Sequence, residues 1–352
     1  MAERYEGIQS GGKNKMKCMV CEEPNRFEMK EVSVPVPGTG EALIRIRRVG
    51  ICGTDLHAYK GNQPFFEYPR ILGHELSAEI VEIGENNLGL SVKDQVCVVP
   101  YIHCGSCIAC RNGKTNCCTK MSVIGVHQDG GMREYMTVPV QHVVKTDGLT
   151  LDQAAIVECF SIGAHAVRRA NVSPGDVVMV IGAGPIGLGT MKFAKLTGAQ
   201  VIAMDLNEDR LQFCKSWANA DFIVDGKKNP LDEIEQITGG DFPVAVFDAT
   251  GNTRSMEQSL HYVSHGGKLI FVGLVKSNIT FHDPDFHKRE MAIMGSRNAT
   301  KADFLEVIRH IRNGSIDTNT FITHRSKFND MISQFESWLR PDTGVVKAIV
   351  EL

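Results

Sequence analysis

The 352-residue sequence contains no run of about twenty apolar residues, so no membrane-spanning helix is expected. The opening stretch MAERYEGIQSGGKNKM has no apolar segment of the signal-peptide type, so secretion is not expected and folded sequence should begin near Met16. Charge of one sign is also missing. The formal net charge is only −3, which supplies no field for gathering nucleic acid or an anionic membrane. There is no internal repeat and no low-complexity tract, which excludes a solenoid. What remains is ordinary for a globular protein, 43% hydrophobic and 22% charged residues, in a chain long enough for two cores. Cysteine is plentiful, at eleven. In a long chain without a leader, cysteines clustered beside His and Glu point to reduced thiols and metal rather than disulfides. A cytoplasmic protein is expected, with small molecules rather than nucleic acid or membrane as its partners.

The most informative stretch is 177–205, VVMVIGAGPIGLGTMKFAKLTGAQVIAMD. It reads as a buried β-branched strand, a glycine turn, a helix, a second strand and an acid. Gly182, Gly184 and Gly187 form G-x-G-x-x-G. The first allows a tight turn, the second lets backbone approach a pyrophosphate, and the third lets the helix pack on the strand. The helix N-terminus presents unpaired N–H groups and partial positive charge to phosphate. Asp205 lies eighteen positions past Gly187. A carboxylate there accepts hydrogen bonds from adenosine ribose hydroxyls and repels a 2′-phosphate, which indicates NAD rather than NADP.

Before that stretch the pattern is of short strands broken by Gly and Pro, such as 42–49, 77–83 and 95–99, which suggests an antiparallel barrel or sandwich. Cys52 and His74, twenty-two positions apart, are good zinc donors, and Glu75 adds a carboxylate. Thr54 and Asp55 are candidates to orient ligands or relay protons. On spacing alone such a pair is more often a buried thiol and a satisfied histidine than a metal site. Cys104-x2-Cys107-x2-Cys110-x7-Cys118 is far more specific: four thiolates in fifteen positions suit a closed structural zinc site, with Cys117 as a spare neighbour. His127, in the turn-rich loop Gly125-Val126-His127-Gln128-Asp129-Gly130-Gly131, reads as structural. A helix is expected over 156–170, with Glu158 and Cys159 near its start. Phe65, Phe66, Arg133 and Arg297 are candidate pocket residues, an Arg suiting a substrate carboxylate.

After Asp205 the β/α alternation continues, with strands near 222–224, 244–248, 268–272 and 291–295, each ending in small residues where an open sheet places its ligand crevice. A helix is expected over 303–313 with Leu305, Ile308 and Ile311 on one face, then strands near 321–326 and 345–350 that return to the first domain.

Taken together, Cys52-Gly53-Thr54-Asp55, Gly73-His74-Glu75, the four-cysteine lobe, the glycine turn and Asp205 resemble, in order, the zinc-dependent medium-chain alcohol/polyol dehydrogenases. The resemblance covers essentially everything after Met16. It implies an α/β protein: a GroES-like, β-rich catalytic domain over 16–160 with a structural zinc lobe at 100–120, a Rossmann doubly wound parallel sheet binding NAD over 161–299, and a return to the catalytic domain over 300–352. It implies one catalytic and one structural zinc per chain, NAD, and a homodimer or homotetramer. The pattern is similar to that of sorbitol and threonine dehydrogenases, with Cys52, His74 and Glu75 as zinc ligands, Glu158 near a metal-bound water, and Thr54 and His57 on a proton path. Glu158 stands where ordinary alcohol dehydrogenases carry a second Cys ligand. Glu75 is open to a second reading, since neighbours on a regular strand point apart, and Glu158 or Cys159 then remains as the third ligand. Ile186, Asp205, Arg210, Val272, Gly273, Leu274, Ser296, Arg297 and Asn298 match positions that contact NAD in the family. The loop 124–131 resembles a bacterial subgroup similar to L-galactonate or L-idonate 5-dehydrogenases, which oxidise a secondary hydroxyl of a sugar acid. L-threonine 3-dehydrogenase and 2,3-butanediol dehydrogenase are the alternatives within the family. A zinc- and NAD-binding redox sensor without turnover is the alternative of another class.

Overall fold

The structure, a computed structural model, describes residues 3–4, 15–62 and 66–352. The chain divides into two compact units: one runs up to Glu158 and resumes at Thr300–Leu352, and the other is Cys159–Ala299. Among the described residues no helix is long and apolar enough to cross a membrane.

The first unit is built on a largely antiparallel sheet in the order Val143–Lys145, Gln95–Val98, Glu75–Ile83, Glu41–Ile51, Lys347–Glu351, Ile322–Lys327, with Tyr135–Pro139 also pairing Glu41–Ile51. Ile44, Ile46, Ala78, Ile80, Val96 and Val98 from these strands meet in a common core, so burial rather than turn chemistry sets the register. A cluster of aromatic rings extends that core, with Phe27 stacked on Tyr59 at 5.0 Å and edge-on to Phe335 at 4.8 Å. The C-terminal strand Lys347–Glu351 pairs antiparallel with Glu41–Ile51 and parallel with Ile322–Lys327. The last part of the chain is therefore an inner strand of the sheet that begins near its start.

The helix Lys301–Arg312 departs from its expected face. Ile308 and Ile311 are buried as expected, but Leu305 is 52% exposed, and Phe304 and Val307 complete the buried stripe. At 3.6 residues per turn, positions 304, 307, 308 and 311 centre on one direction, and 305 falls about a quarter turn away.

The second unit is a six-stranded parallel sheet in the order Phe222–Asp225, Gln200–Asp205, Val177–Ile181, Ala245–Asp248, Lys268–Phe271, Ala292–Gly295. Numbered along the chain this is 3-2-1-4-5-6, the doubly wound order. Its direction reverses between Val177–Ile181 and Ala245–Asp248, which opens the crevice at the carboxyl ends of the strands. The strands are short and the central ones are buried on both faces, as the β-branched sequence implies; Val178, Met179 and Val180 are all 0% exposed, whereas the edge strands Phe222–Asp225 and Ala292–Gly295 are partly exposed.

Candidate active site and metal centres

Cys52 is the N-cap of the helix Gly53–Tyr59, and its Sγ accepts the Thr54 N–H at 3.5 Å. Asp55, in the first turn, is 1% exposed. Its Oδ2 accepts the Cys52 N–H at 3.0 Å and its Oδ1 accepts the Gly73 N–H at 3.1 Å, tying this helix to the segment that carries His74. Burial pushes the Asp55 carboxyl up, while the adjacent His74 pulls it down.

The path into His74 is held by the loop singled out as turn-rich. Gly130 N donates to Ile71 O at 2.7 Å, Gly131 N to Gly73 O at 2.8 Å and Met132 N to Leu72 O at 3.0 Å. Asp129 Oδ1 accepts the Ile71 N–H at 3.1 Å. A side chain on Gly130 would overlap the carbonyl oxygens of Leu72 and Gly73. His127 Nδ1 accepts the Val123 N–H at 3.0 Å.

His74 and Glu75 are both buried, at 5% and 0% exposure. The strand starts only at Glu75, and Gly73 before His74 has φ +90°. The alternation that separates neighbours applies inside a strand; His74 lies outside it and escapes the rule. In consequence Cys52, His74 and Glu75 each bring a donor atom within 4.8 Å of the others. Among the described residues His74 Nδ1 has no hydrogen-bond partner, and Asp55 Oδ1 lies 3.7 Å from it. Burial alone would lower the imidazole pKa, but Asp55 and then Cys52 raise it well above its ordinary value.

Two residues that sequence reasoning missed complete this pocket. Lys347 Nζ, in a side chain only 1% exposed, donates to both Glu75 oxygens at 2.7 and 2.9 Å and to Ile51 O at 3.1 Å. Gly50 supplies space, since a Cβ there would sit 2.9 Å from the Glu75 Cβ and overlap its carboxylate. Neither has a local motif; Gly50 pairs directly with Glu75 in the sheet, and Lys347 begins the strand that pairs on the other side of Glu41–Ile51. Glu158, at the start of the helix Val157–Ala170, is 4% exposed and accepts a hydrogen bond from Tyr101 Oη on Oε1. Burial pushes its carboxyl up to about 7. It lies outside the three-donor group, although His74 and Glu75 are close enough to act on its charge. Tyr101 was also missed, as an unremarkable strand tyrosine. Cys159 is fully buried; Thr54 is half-buried and His57 is exposed in the last turn of its helix.

The cysteine lobe is a second, separate cluster. Cys104, Cys107, Cys110 and Cys118 have all sulfurs within 4.8 Å of one another. The separations are 3.5 Å for Cys107–Cys110, 3.9 Å for Cys107–Cys118 and 3.5 Å for Cys104–Cys118. Four thiolates about 2.3 Å from one zinc would stand about 3.8 Å apart, so the set fits that ion. Backbone N–H groups point inward, Cys107 N to Cys104 Sγ at 3.4 Å and Lys120 N to Cys118 Sγ at 3.3 Å. Hydrogen bonds lower Cys104 to about 7 and Cys107 to about 5, whereas loss of water and its sulfur neighbours push Cys110 up to about 12. Cys117 is exposed and outside the group. Among the described residues no disulfide joins any of the eleven cysteines.

In the second unit Gly182 has φ +96°, Gly184 caps the helix Pro185–Leu196, and a side chain on Gly187 would overlap Gly182 O. Asp205 Oδ2 accepts the Ala183 N–H at 2.6 Å and Oδ1 the Asn207 N–H at 2.9 Å, so the acid is fastened to the glycine turn. Ile186 is half-buried at the helix start, while Arg210 is exposed on the helix Glu208–Phe213. Val272 and Gly273 N–H groups both donate to Asp248 O at 2.9 Å, and Leu274 is 66% exposed. Ser296 N donates to Phe271 O at 2.8 Å, its Oγ is buried without a partner among the described residues, and Asn298 has φ +54°. Arg297 lies between them on the same connection.

Arg133 Nη2 reaches Asp129 O at 3.5 Å, and Phe66 packs edge-on to Tyr68 at 4.8 Å. Phe65 lies outside the described residues.

Comparison with known proteins agrees with this geometry. Residues 38–148 match the family model of the alcohol dehydrogenase GroES-like domain and 185–313 that of zinc-binding dehydrogenase. The chain is 44% identical to L-galactonate-5-dehydrogenase of Escherichia coli (strain K12) over 95% of this chain and 98% of that one. It is 32% identical to sorbitol dehydrogenase of Bacillus subtilis (strain 168), over 93% and 95%. A crystal structure described as short chain alcohol dehydrogenase (rspB) from E. coli CFT073, complexed with cofactor NADH, superposes with TM-score 0.90 at 29% identity, covering 96% of this chain and 99% of that one. The chain belongs to the zinc-dependent medium-chain alcohol/polyol dehydrogenase family.

Proposed function

We propose that this family member oxidises a secondary hydroxyl of a polyol or sugar acid with NAD, in the manner of the L-galactonate and L-idonate 5-dehydrogenases. The observation that carries the reading is the group of half-buried Cys52 with buried His74 and Glu75, three donors of different chemistry within 4.8 Å. These three would hold the catalytic zinc, and Cys104, Cys107, Cys110 and Cys118 the structural one. When bound, the catalytic ion supplies Lewis acidity that lowers the pKa of a substrate hydroxyl, and the nicotinamide supplies the hydride acceptor.

The chain's own residues supply the rest. Asp55 sets the orientation of His74 through its charge and fixes the backbone of Cys52 and Gly73. Lys347 neutralises the Glu75 carboxylate inside the core, so the donor group carries less net negative charge than its residues suggest. Glu158, raised to about 7 by burial and held by Tyr101, is suited to take the hydroxyl proton near neutral pH. The proton then leaves to water; the alternative route runs through Thr54, half-buried, toward His57, exposed. For the dinucleotide, we assign Gly182, Gly184, Ile186 and Gly187 to the pyrophosphate, Asp205 and Arg210 to the adenosine, and Val272, Gly273, Leu274, Ser296, Arg297 and Asn298 to the other half.

The test is NADH formation with purified protein on L-galactonate, L-idonate, sorbitol, 2,3-butanediol and L-threonine. Highest kcat/KM on a sugar acid is expected. Preference for L-threonine or the butanediol would move the protein to another branch of the family, and no turnover on any alcohol would favour a redox sensor. We also propose a cytoplasmic homodimer or homotetramer. Cysteines without disulfides among the described residues support a reducing compartment, and the strand Ala292–Gly295 ends the parallel sheet with no partner on its outer side among the described residues. Sedimentation of the purified protein tests the assembly.

A further inference from the structure

Asp248 ends the strand Ala245–Asp248 and is 0% exposed, yet it belongs to none of the groups assigned above. Its Oδ1 accepts the Thr250 N–H at 2.9 Å and the Thr250 hydroxyl at 2.6 Å, and its Oδ2 accepts the Ser255 hydroxyl at 2.6 Å. Its carbonyl oxygen takes the Val272 and Gly273 N–H groups at 2.9 Å each. One residue thus holds two strand-end loops, 249–251 and 272–274, through different atoms. Burial pushes the carboxyl up, but these hydroxyl and N–H donors pull it down.

The loop so held is wedged between two others. A Cβ on Gly182 would meet Thr250 Cγ2 at 3.1 Å and Thr250 N at 3.3 Å, so Thr250 lies against the glycine turn. On the other side a Cβ on Gly273 would overlap Gly251 N, and Gly251, at φ +61°, would bring one to 3.3 Å from Leu274 O. Three loops at the carboxyl ends of adjacent strands therefore share one packing arrangement with no slack, and the Asp248 carboxylate sets the middle one. In the doubly wound order, Asp205 stands on one side of the glycine turn and these loops stand on the other. Asp205 takes the adenosine, so loops 249–251 and 272–274 face the nicotinamide half.

We infer that Asp248 is a positioning residue for the nicotinamide half of the dinucleotide, acting through Thr250 and Ser255 without touching the cofactor. The inference rests on the dinucleotide reading proposed above. It is tested by titrating wild type, Asp248→Ala, Asp248→Asn and the double variant Thr250→Val/Ser255→Ala with NADH, followed by its fluorescence, and with AMP, followed by calorimetry. Thermal unfolding is recorded for each. The NADH dissociation constant is expected to rise about tenfold or more in Asp248→Ala, the equivalent of one lost hydrogen bond to a charged group. Asp248→Asn keeps an acceptor for Thr250 and a donor for Ser255, so it should recover most of that loss, with the double variant between. AMP, lacking the nicotinamide half, should bind every variant within about twofold of wild type. Equal weakening of NADH and AMP, or unchanged NADH binding in both Asp248→Ala and the double variant, overturns the positioning role. If Asp248→Ala does not fold, the double variant carries the same comparison. A wild type that binds neither NADH nor AMP overturns the dinucleotide reading and this inference with it.

Discussion

The two donor clusters of the first unit achieve similar compactness by opposite means. The cysteine lobe takes four identical ligands from fifteen consecutive positions, with Cys104 exposed and Cys107 and Cys110 only partly covered. Its surroundings are backbone N–H groups and tight turns at Gly105 and Gly113, with φ of +72° and +71°. The Cys52–His74–Glu75 group takes three different donors from two segments, with His74 and Glu75 buried and Cys52 half-buried. Around them stand further ionisable residues: Asp55, Glu158, Tyr101 and Lys347. A closed set of like donors needs no tuning, because the ion is its only purpose. An open set with unlike donors leaves charge to be balanced by neighbours, and those neighbours are where the chemistry is adjusted.

This contrast can be broken or sharpened by mutation. The largest effect is expected for Cys52→Ala or His74→Ala, which should lower kcat/KM by about a thousandfold or more while removing one zinc and leaving the other. Unchanged alcohol oxidation with only lobe metal present would remove the distinction between the clusters. Lys347→Met comes next. It leaves Glu75 as a buried unpaired charge, so a loss of about 3–5 kcal/mol in denaturant unfolding of metal-free protein is expected. Most of it should return in Lys347→Met/Glu75→Gln, which removes both charges; no recovery would mean that the lysine matters for packing and not for its charge.

Cys107→Ser should give the complementary result. One zinc is lost, the unfolding midpoint falls by roughly 5–10 °C, and turnover of protein that remains folded is nearly unchanged. A collapse of kcat at low temperature would show that the lobe is coupled to catalysis. The smallest effect is expected for Gly130→Ala, at about 1–3 kcal/mol, because its methyl group must push the Leu72 and Gly73 carbonyls that lead into His74. If that substitution lowers stability but leaves kcat/KM intact, the loop supports the fold without setting the histidine.

The cysteine lobe was readable because its spacing is local: a short loop can close on one ion whatever the rest of the chain does. The glycine turn with its flanking strands and Asp205 was readable for the same reason, as a βαβ unit whose parts adjoin in sequence. The parallel sheet followed from the alternation of strands and helices. Leu305 was misjudged because apolar spacing in a helix fixes a stripe only to within a turn, and Phe304 and Val307 define its centre better. The Cys52–His74–Glu75 group came from resemblance rather than spacing, since the rule of alternation argued against two adjacent ligands.

What the amino-acid order determined by itself is the features whose partners share one loop or one adjoining βαβ unit: the lobe, the glycine turn with Asp205, the strand and helix types. Only the tertiary structure decided that Lys347 meets Glu75 across 272 positions, that Tyr101 holds Glu158, and that Gly50 makes room for a carboxylate. Such contacts follow from which strands pair and in what register. That choice is made by burial of the whole sheet, and no local pattern around any one of these residues records it.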